Sequence, residues 1–337
     1  VKNDRAGIFA WQGNGLMRMR TVIFLLSVAV MVFAGANGAD AQSAEQPGKP
    51  AIEAAAAFGP VSIEEGALRM QDWRVPTPLA NLKAHARLYR PQGQGPFPLA
   101  LIAHASTQSP IARAQMRLPD YRGLVTALIA KGYAVIVPLR PGHGATGGAY
   151  IEDQKGCVNA DYESAGMRTA DSIEAVLNFM RTQSFIRRDG ALVIGHSAGG
   201  WGALALAARK PRSVARIIVF APGRGGRAEG VANAMCAEDR LIAAAEMFGK
   251  GAKADISLPG MHARGEDAIP VTWIVADNDS YFSPALSRRM ADAFASSGAQ
   301  SGVKVDFRVT PPYGQDGHGL AEAEAGALAA VLREMLK

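Results

Sequence analysis

Apolar residues along the chain fall into two kinds of run. Short, nearly continuous ones occupy 98–104 (PLALIAH), 133–139 (YAVIVPL), 191–195 (ALVIG), 215–221 (ARIIVFA), 271–276 (VTWIVA) and 303–309 (VKVDFRV). Their brevity and their valine and isoleucine content predict buried strands, and the alternating 85–89 (HARLY) predicts one more. Between them lie longer segments with helical spacing. Ile173, Val176, Leu177 and Met180 follow i, i+3, i+4, i+7 within a helix expected over 161–182. Leu328, Val331, Leu332 and Met335 repeat that spacing in the last helix, and further helices are expected over 121–132, after Ser197 and over 284–297. Strands apolar on both sides, alternating with amphipathic helices, predict an α/β fold with a mostly parallel central sheet flanked by helices. Ligands of such sheets bind at the carboxyl ends of the strands.

Two regions break this rhythm. The run from Val22 to Ala34 follows Arg18 and Arg20 and ends near Ala39-Asp40-Ala41. It is short for a membrane span and fits the apolar core of a signal peptide cleaved before Gln42. A retained N-terminal anchor is the alternative. Residues 1–41 are therefore read as a signal peptide with an upstream extension, 42–60 as a flexible Pro/Gly/Ala-rich leader, and 61–337 as the domain. The second region, 223–269, is read as a small cap-like insertion over the active edge of the sheet, with a helix near 239–248.

Composition adds limits. The formal charge of +6 drops by two once 1–41 is removed, and the remaining charges are interspersed. No basic run or aromatic platform points to nucleic acid. The expected setting is periplasmic or secreted, with no membrane partner after signal removal. There the two cysteines, Cys157 and Cys236, are read as one disulfide rather than two separate thiols.

The chemistry centres on Gly195-His196-Ser197-Ala198-Gly199, a G-x-S-x-G turn between an apolar strand and a small-residue helix. Such a turn holds its serine in a strained backbone, and glycines two residues away let neighbouring chains approach. A phosphate loop would need Lys followed by Ser or Thr, where Gly200-Trp201-Gly202 stands. A purely structural turn is the other alternative, so partners decide. A serine hydroxyl needs a base. His318, in the loop between the last strand and the last helix, has the place the chain order Ser, acid, His gives that base.

For the acid, the strand 271–276 runs into Asp277-Asn278-Asp279. Asp279 is preferred because it clears the sheet, whereas Asp277 sits where turn hydrogen bonds would occupy it. Asp316 is a weaker, more exposed third. An oxyanion hole needs two backbone donors: Ala198 supplies one, and Ala105 or Ser106 in the loop after 98–104 supplies the other. His104, His196 and His143 read as structural residues of their loops. No histidine has metal-ligand spacing, and no cofactor is implied. Tyr281 and Phe282 are candidate substrate-binding residues, with core packing the alternative. Trp201, on the elbow helix, is read as core.

Together "AHAST", "LRPGHGATGG", "GHSAGG", "DNDSYF" and "GQDGHG", in that order over about 85–337, resemble the α/β-hydrolase superfamily. Within it the resemblance is to dienelactone hydrolase-like and prolyl-oligopeptidase-like serine hydrolases. Ala105 replaces the usual glycine of the oxyanion loop, and Ala276 stands where Gly-x-x-Asp is common before the acid. Dienelactone hydrolases proper use cysteine, so Ser197 argues against that reaction. The resemblance implies an α/β-hydrolase fold and an exported serine hydrolase cleaving small-molecule carboxylic esters through an acyl-enzyme. The alternatives are a peptidase of the prolyl-oligopeptidase-like type and a non-catalytic binding protein.

Overall fold

The computed structural model describes residues 58–225, 236–252, 268–296 and 303–335. All of them belong to one structural unit, Ala55–Lys337. The expected signal peptide and nearly all of the leader lie outside the described residues, as do 226–235 and 253–267 of the expected insertion.

Nine strands form one sheet: β1 (Gly59–Pro60), β2 (Gln71–Pro76), β3 (Lys83–Tyr89), β4 (Leu99–Ala103), β5 (Ala134–Pro138), β6 (Ala191–His196), β7 (Val214–Phe220), β8 (Val271–Ala276) and β9 (Val305–Thr310). Their spatial order is β1-β2-β3-β5-β4-β6-β7-β8-β9. The six strands from β4 onward are mutually parallel. The first three are antiparallel, and β3 joins the rest through β5.

Every expected strand is present within a residue or two. The sequence reading missed β1, β2 and the short helix α1 (Pro110–Ala114). In β2 only Trp73 and Val75 are deeply buried, so it offers too little apolar alternation to read as a strand. Gly59 and Pro60, at the end of the expected leader, pair with Arg74 and Trp73 and so belong to the sheet.

Continuous apolar strands make sense because the sheet has a core on each face. Leu99, Leu101, Ala103, Ile136, Val193, Ile217, Val219 and Trp273 join one core. Their neighbours Ala100, Ile102, Val135, Val137, Ile194, Ile218 and Ile274 join the other. The period of two along each strand sends successive side chains to opposite faces. Over the first face lie α3 (Tyr162–Met180), α4 (Ala198–Ala207), α5 (Glu238–Ala252) and α6 (Pro284–Ser296); over the second lie α2 (Arg122–Ala130) and α7 (Ala325–Met335). Ile173, Val176, Leu177 and Met180 are all at most 2% exposed, as their spacing predicts. In the last helix Leu328 and Leu332 are buried and Val331 is half-buried.

The helix of the expected insertion, α5, packs against α3, α4 and α6 through Leu241, Ala244, Ala245 and Phe248. Its apolar stripe makes it part of that helix layer. Among the described residues, no helix is long and apolar enough to cross a membrane.

The strand order reverses at β4. The chain moves from β4 to β5 on one side, then returns to β6 on the other. The loops leaving β4 and β6 therefore flank a crevice at the switch point, where open α/β sheets take their ligands.

Candidate active site

Ser197 stands in that crevice, between the end of β6 and the start of α4. Its backbone has φ 53° and ψ −119°, the left-handed side where a β-carbon is strained. Close packing holds it there. A β-carbon on Gly199 would lie 2.1 Å from the Ala103 carbonyl oxygen, and one on Gly195 2.4 Å from the Gly200 α-carbon. Both contacts are impossible, which is the steric reason for glycine on each side of this serine. The Ser197 N–H donates to the Phe220 carbonyl at 2.9 Å, fixing the turn to β7.

The loops after β8 and β9 bring Asp279 and His318 together. Nδ1 of His318 lies 3.0 Å from Oδ2 of Asp279, whose side chain is fully buried. The other carboxylate oxygen of Asp279 accepts the backbone N–H groups of Tyr281 (2.8 Å) and Phe282 (2.7 Å). Asp277 is exposed, and its N–H donates to the Thr310 carbonyl at 3.0 Å. Asp316, expected to be exposed, is half-buried and ties the two loops together. It accepts the Ser280 and His318 N–H groups at 3.1 and 3.0 Å, as well as the Ser280 hydroxyl. Burial works against its charge, but these three donors outweigh burial and hold its carboxyl below the usual range.

The loop after β4 carries the expected second oxyanion donor, and here the two candidates separate. The Ala105 N–H donates to the Tyr121 phenol oxygen at 3.2 Å. The Ser106 N–H has no hydrogen-bond partner among the described residues. The Ser106 hydroxyl donates to Nε2 of His143 at 2.8 Å, and Nδ1 of that ring faces the Arg140 and Pro141 carbonyls. Burial, then the Arg140 cation, push the His143 pKa down to about 4, so the ring is neutral.

Behind this loop lies a charged cluster that the sequence reading did not find. Arg140, Glu152 and Arg224 are each at most 2% exposed. Glu152 accepts from Arg140 Nε at 2.5 Å and also from Arg224. Burial opposes its charge, but the two guanidinium groups win and hold its pKa down to about 2. Arg140 also donates to the His104 carbonyl at 2.7 Å and, through its backbone N–H, to Nε2 of His104 at 3.1 Å. Arg113 holds the same loop by donating to the Thr107 and Gln108 carbonyls. His104 thus shapes the loop, as its position suggested.

Ser197, His318, Ala105, Ser106, Thr107, Gln108, Gly225, Tyr281 and Phe282 line one cavity of about 320 Å³. Ser197 and His318 therefore face one space. The rings of Tyr281 and Phe282 lie 4.5 and 5.7 Å from the His318 ring. Trp201 is core: it is fully buried, and its Nε1 donates to the Tyr162 carbonyl at 2.7 Å.

The model of the alpha/beta hydrolase family matches residues 100–331. The chain belongs to that family. No curated protein matches it. Among solved structures, an S-formylglutathione hydrolase from Agrobacterium tumefaciens has a TM-score of 0.50 at 14% identity, over 82% of this chain and 98% of that one. A predicted CIB-like hydrolase from Thermoplasma acidophilum has 0.48 at 13% identity, over 79% and 98%. An esterase from Pyrococcus furiosus has 0.45 at 14%, over 80% and 89%. At such identities the likeness is one of fold.

This alpha/beta hydrolase also holds the Cys157–Cys236 disulfide, with α-carbons 5.2 Å apart. It joins the loop that carries Tyr150, Glu152 and Gln154 to the residues just before α5. Gln154 donates to the Gln108 side chain at 2.7 Å, so the bridged loop reaches the cavity wall.

Proposed function

We propose that this alpha/beta hydrolase is an exported serine hydrolase that cleaves carboxylic esters. One observation carries the reading: a histidine held at Nδ1 by a buried carboxylate borders the same cavity as a strained, elbow-borne serine. In this reading Asp279 keeps the Nδ1–H tautomer of His318 and stabilises the imidazolium that forms. The other ring nitrogen takes the Ser197 hydroxyl proton as Oγ bonds to the ester carbonyl carbon. The N–H groups of Ala198 and Ser106 stabilise the resulting oxyanion. The C–O bond to the alcohol then breaks, with His318 returning the proton to the leaving oxygen. An acyl-enzyme remains. Water attacks it, His318 takes the water proton and passes it to Ser197, and the carboxylic acid departs.

A small cavity with hydroxyl, amide and aromatic walls suits a small ester, with Tyr281 and Phe282 as substrate-binding residues. The expected signal peptide and the disulfide support export, because paired cysteines persist in oxidising compartments.

A fluorophosphonate probe tests the chemistry. We expect a single adduct on Ser197 and none on a Ser197→Ala variant. Parallel assays on p-nitrophenyl esters and aminoacyl anilides test the substrate class, with esters expected to turn over faster. Faster anilide cleavage would make it a peptidase. A wild-type protein without a Ser197 adduct would favour the binding-protein reading.

A further inference from the structure

Beyond the proposed triad, a second line of hydrogen bonds crosses the site and does not involve the substrate cavity's walls alone. It begins at Ala105 in the loop after β4, whose N–H donates to the Tyr121 phenol oxygen at 3.2 Å. That phenol lies 3.2 Å from Nδ1 of His196, the last residue of β6. Nε2 of the same ring lies 2.7 Å from the backbone carbonyl of His318.

The donors can be assigned. A carbonyl only accepts, so Nε2 of His196 carries a proton; in the neutral ring Nδ1 is then the acceptor. The phenol oxygen accepts from Ala105 and points its own proton at Nδ1. Burial raises the Tyr121 phenol well above its ordinary value, so that proton stays in place. The Glu322 carboxylate, on a half-exposed side chain, also faces Nδ1 at 3.6 Å, and His196 holds its carboxyl below the usual range. The result is a continuous chain, Ala105 to Tyr121 to His196 to His318.

Its position makes it more than packing. Tyr121 caps the start of α2 with φ 44° and ψ 38°, a left-handed conformation that a bulky residue rarely adopts. Such strain persists where surrounding contacts over-determine it, and it clusters at functional sites. Tyr121 and His196 are 2% and 3% exposed, their rings meet edge to face, and neither lines the cavity. One end of the chain fixes the loop bearing the Ser106 N–H; the other fixes the turn bearing the His318 ring.

We propose that Tyr121 and His196 are positioning residues that lock the oxyanion loop and the general base into one register. The proposal rests on the serine-hydrolase reading of the site. Because neither residue touches substrate, their loss should lower the rate of chemistry and leave binding alone.

The test is a cycle of variants assayed on a p-nitrophenyl ester. Tyr121→Phe keeps the ring and removes only the hydroxyl. We expect kcat to fall about tenfold with KM within about twofold, the pattern of a lost transition-state alignment. His196→Gln keeps an amide N–H near Nε2 for the His318 carbonyl but loses the Nδ1 acceptor, so it should fall by a similar factor. Since both changes cut one chain, the double variant should be no slower than the slower single variant. Two outcomes overturn the proposal: kcat of Tyr121→Phe within twofold of wild type, or single-variant losses that multiply in the double variant. A rise in KM alone would also overturn it, by making Tyr121 a determinant of the pocket. If Tyr121→Phe does not fold, His196→Gln alone decides by the same kcat and KM criterion. Fluorophosphonate labelling of the wild type separates the two levels: no adduct on Ser197 sinks the hydrolase reading and the proposal with it, whereas an adduct together with an unchanged kcat in Tyr121→Phe sinks the proposal alone.

Discussion

Two parts of the site are built by different means. On one side, the elbow at Ser197 and the Asp279–His318 pair sit on tight turns with partners supplied by short loops. The Asp279 carboxylate is held by the N–H groups two and three residues further on. On the other side, the loop 104–108 is braced by Arg140, Glu152 and Arg224, which are far apart in sequence and almost wholly buried. The first side uses tight backbone turns that present one buried carboxylate, Asp279, to a ring 39 positions away. The second uses long-range charge. A strained turn costs about 1–3 kcal/mol at one residue, whereas a buried charge cluster is stable only while every member is present. Damage to the first should therefore remove activity and spare the fold; damage to the second should threaten the fold itself.

Substitutions can break this contrast. Asp279→Asn has the largest expected effect on rate. It should lower kcat by about 10³- to 10⁴-fold, because the amide no longer enforces the Nδ1–H tautomer of His318, while the melting temperature barely moves. Asp277→Asn, two positions away and exposed, should stay within twofold of wild type. An inverted result in the same ester assay would exchange the two roles.

Glu152→Gln should act the opposite way. It leaves Arg140 and Arg224 buried without a counter-charge, which costs about 3–5 kcal/mol for a broken buried pair. Chemical denaturation with an unchanged m-value would measure that loss. A variant as stable as wild type would show that the cluster is not what holds the loop.

A smaller and graded effect is expected with pH. The His143 pKa is lowered to about 4, so between the ordinary 6.5 and 4 the unfolded chain binds the proton and the folded one does not. Glu152, lowered to about 2 from 4.5, acts likewise in the next window down. Both contributions are fully present above their unfolded values and are lost on acidification, so stability should fall from about pH 6.5 and continue falling below 4.5. In Glu152→Gln the lower window should flatten, and thermal melts across pH 3–7 would register it. Reducing the Cys157–Cys236 disulfide, which spans 79 residues, should remove about 2–5 kcal/mol. A melting temperature insensitive to reductant would contradict that.

The same contrast explains what the sequence reveals. Strands β3 to β9 and the helix faces are legible because their apolar period is local. The Ser197 elbow is legible because G-x-S-x-G has a steric cause that the contacts at Gly195 and Gly199 display. The position of Asp279 beside His318 followed from turn placement and chain order. What sequence reasoning left open or missed depends on distant partners. Nothing local in the sequence separates Ala105 from Ser106, because the partner of the Ala105 N–H is Tyr121, sixteen residues on. Arg224 reaches Glu152 across 72 positions, and no spacing rule connects them. Within 223–269, composition does not say which surface the apolar stripe of α5 meets. It meets the helix layer.

The central claim is that Ser197 carries the acyl group during turnover. Mixing the protein with excess p-nitrophenyl acetate, quenching in acid and mapping the digest by mass spectrometry tests it directly. We predict an acetyl group on Ser197 that accumulates in the wild type, forms far more slowly in Asp279→Asn and is missing in Ser197→Ala. Ester turnover by Ser197→Ala at the wild-type rate, or acetyl transfer to another residue with Ser197 unmodified, would contradict it.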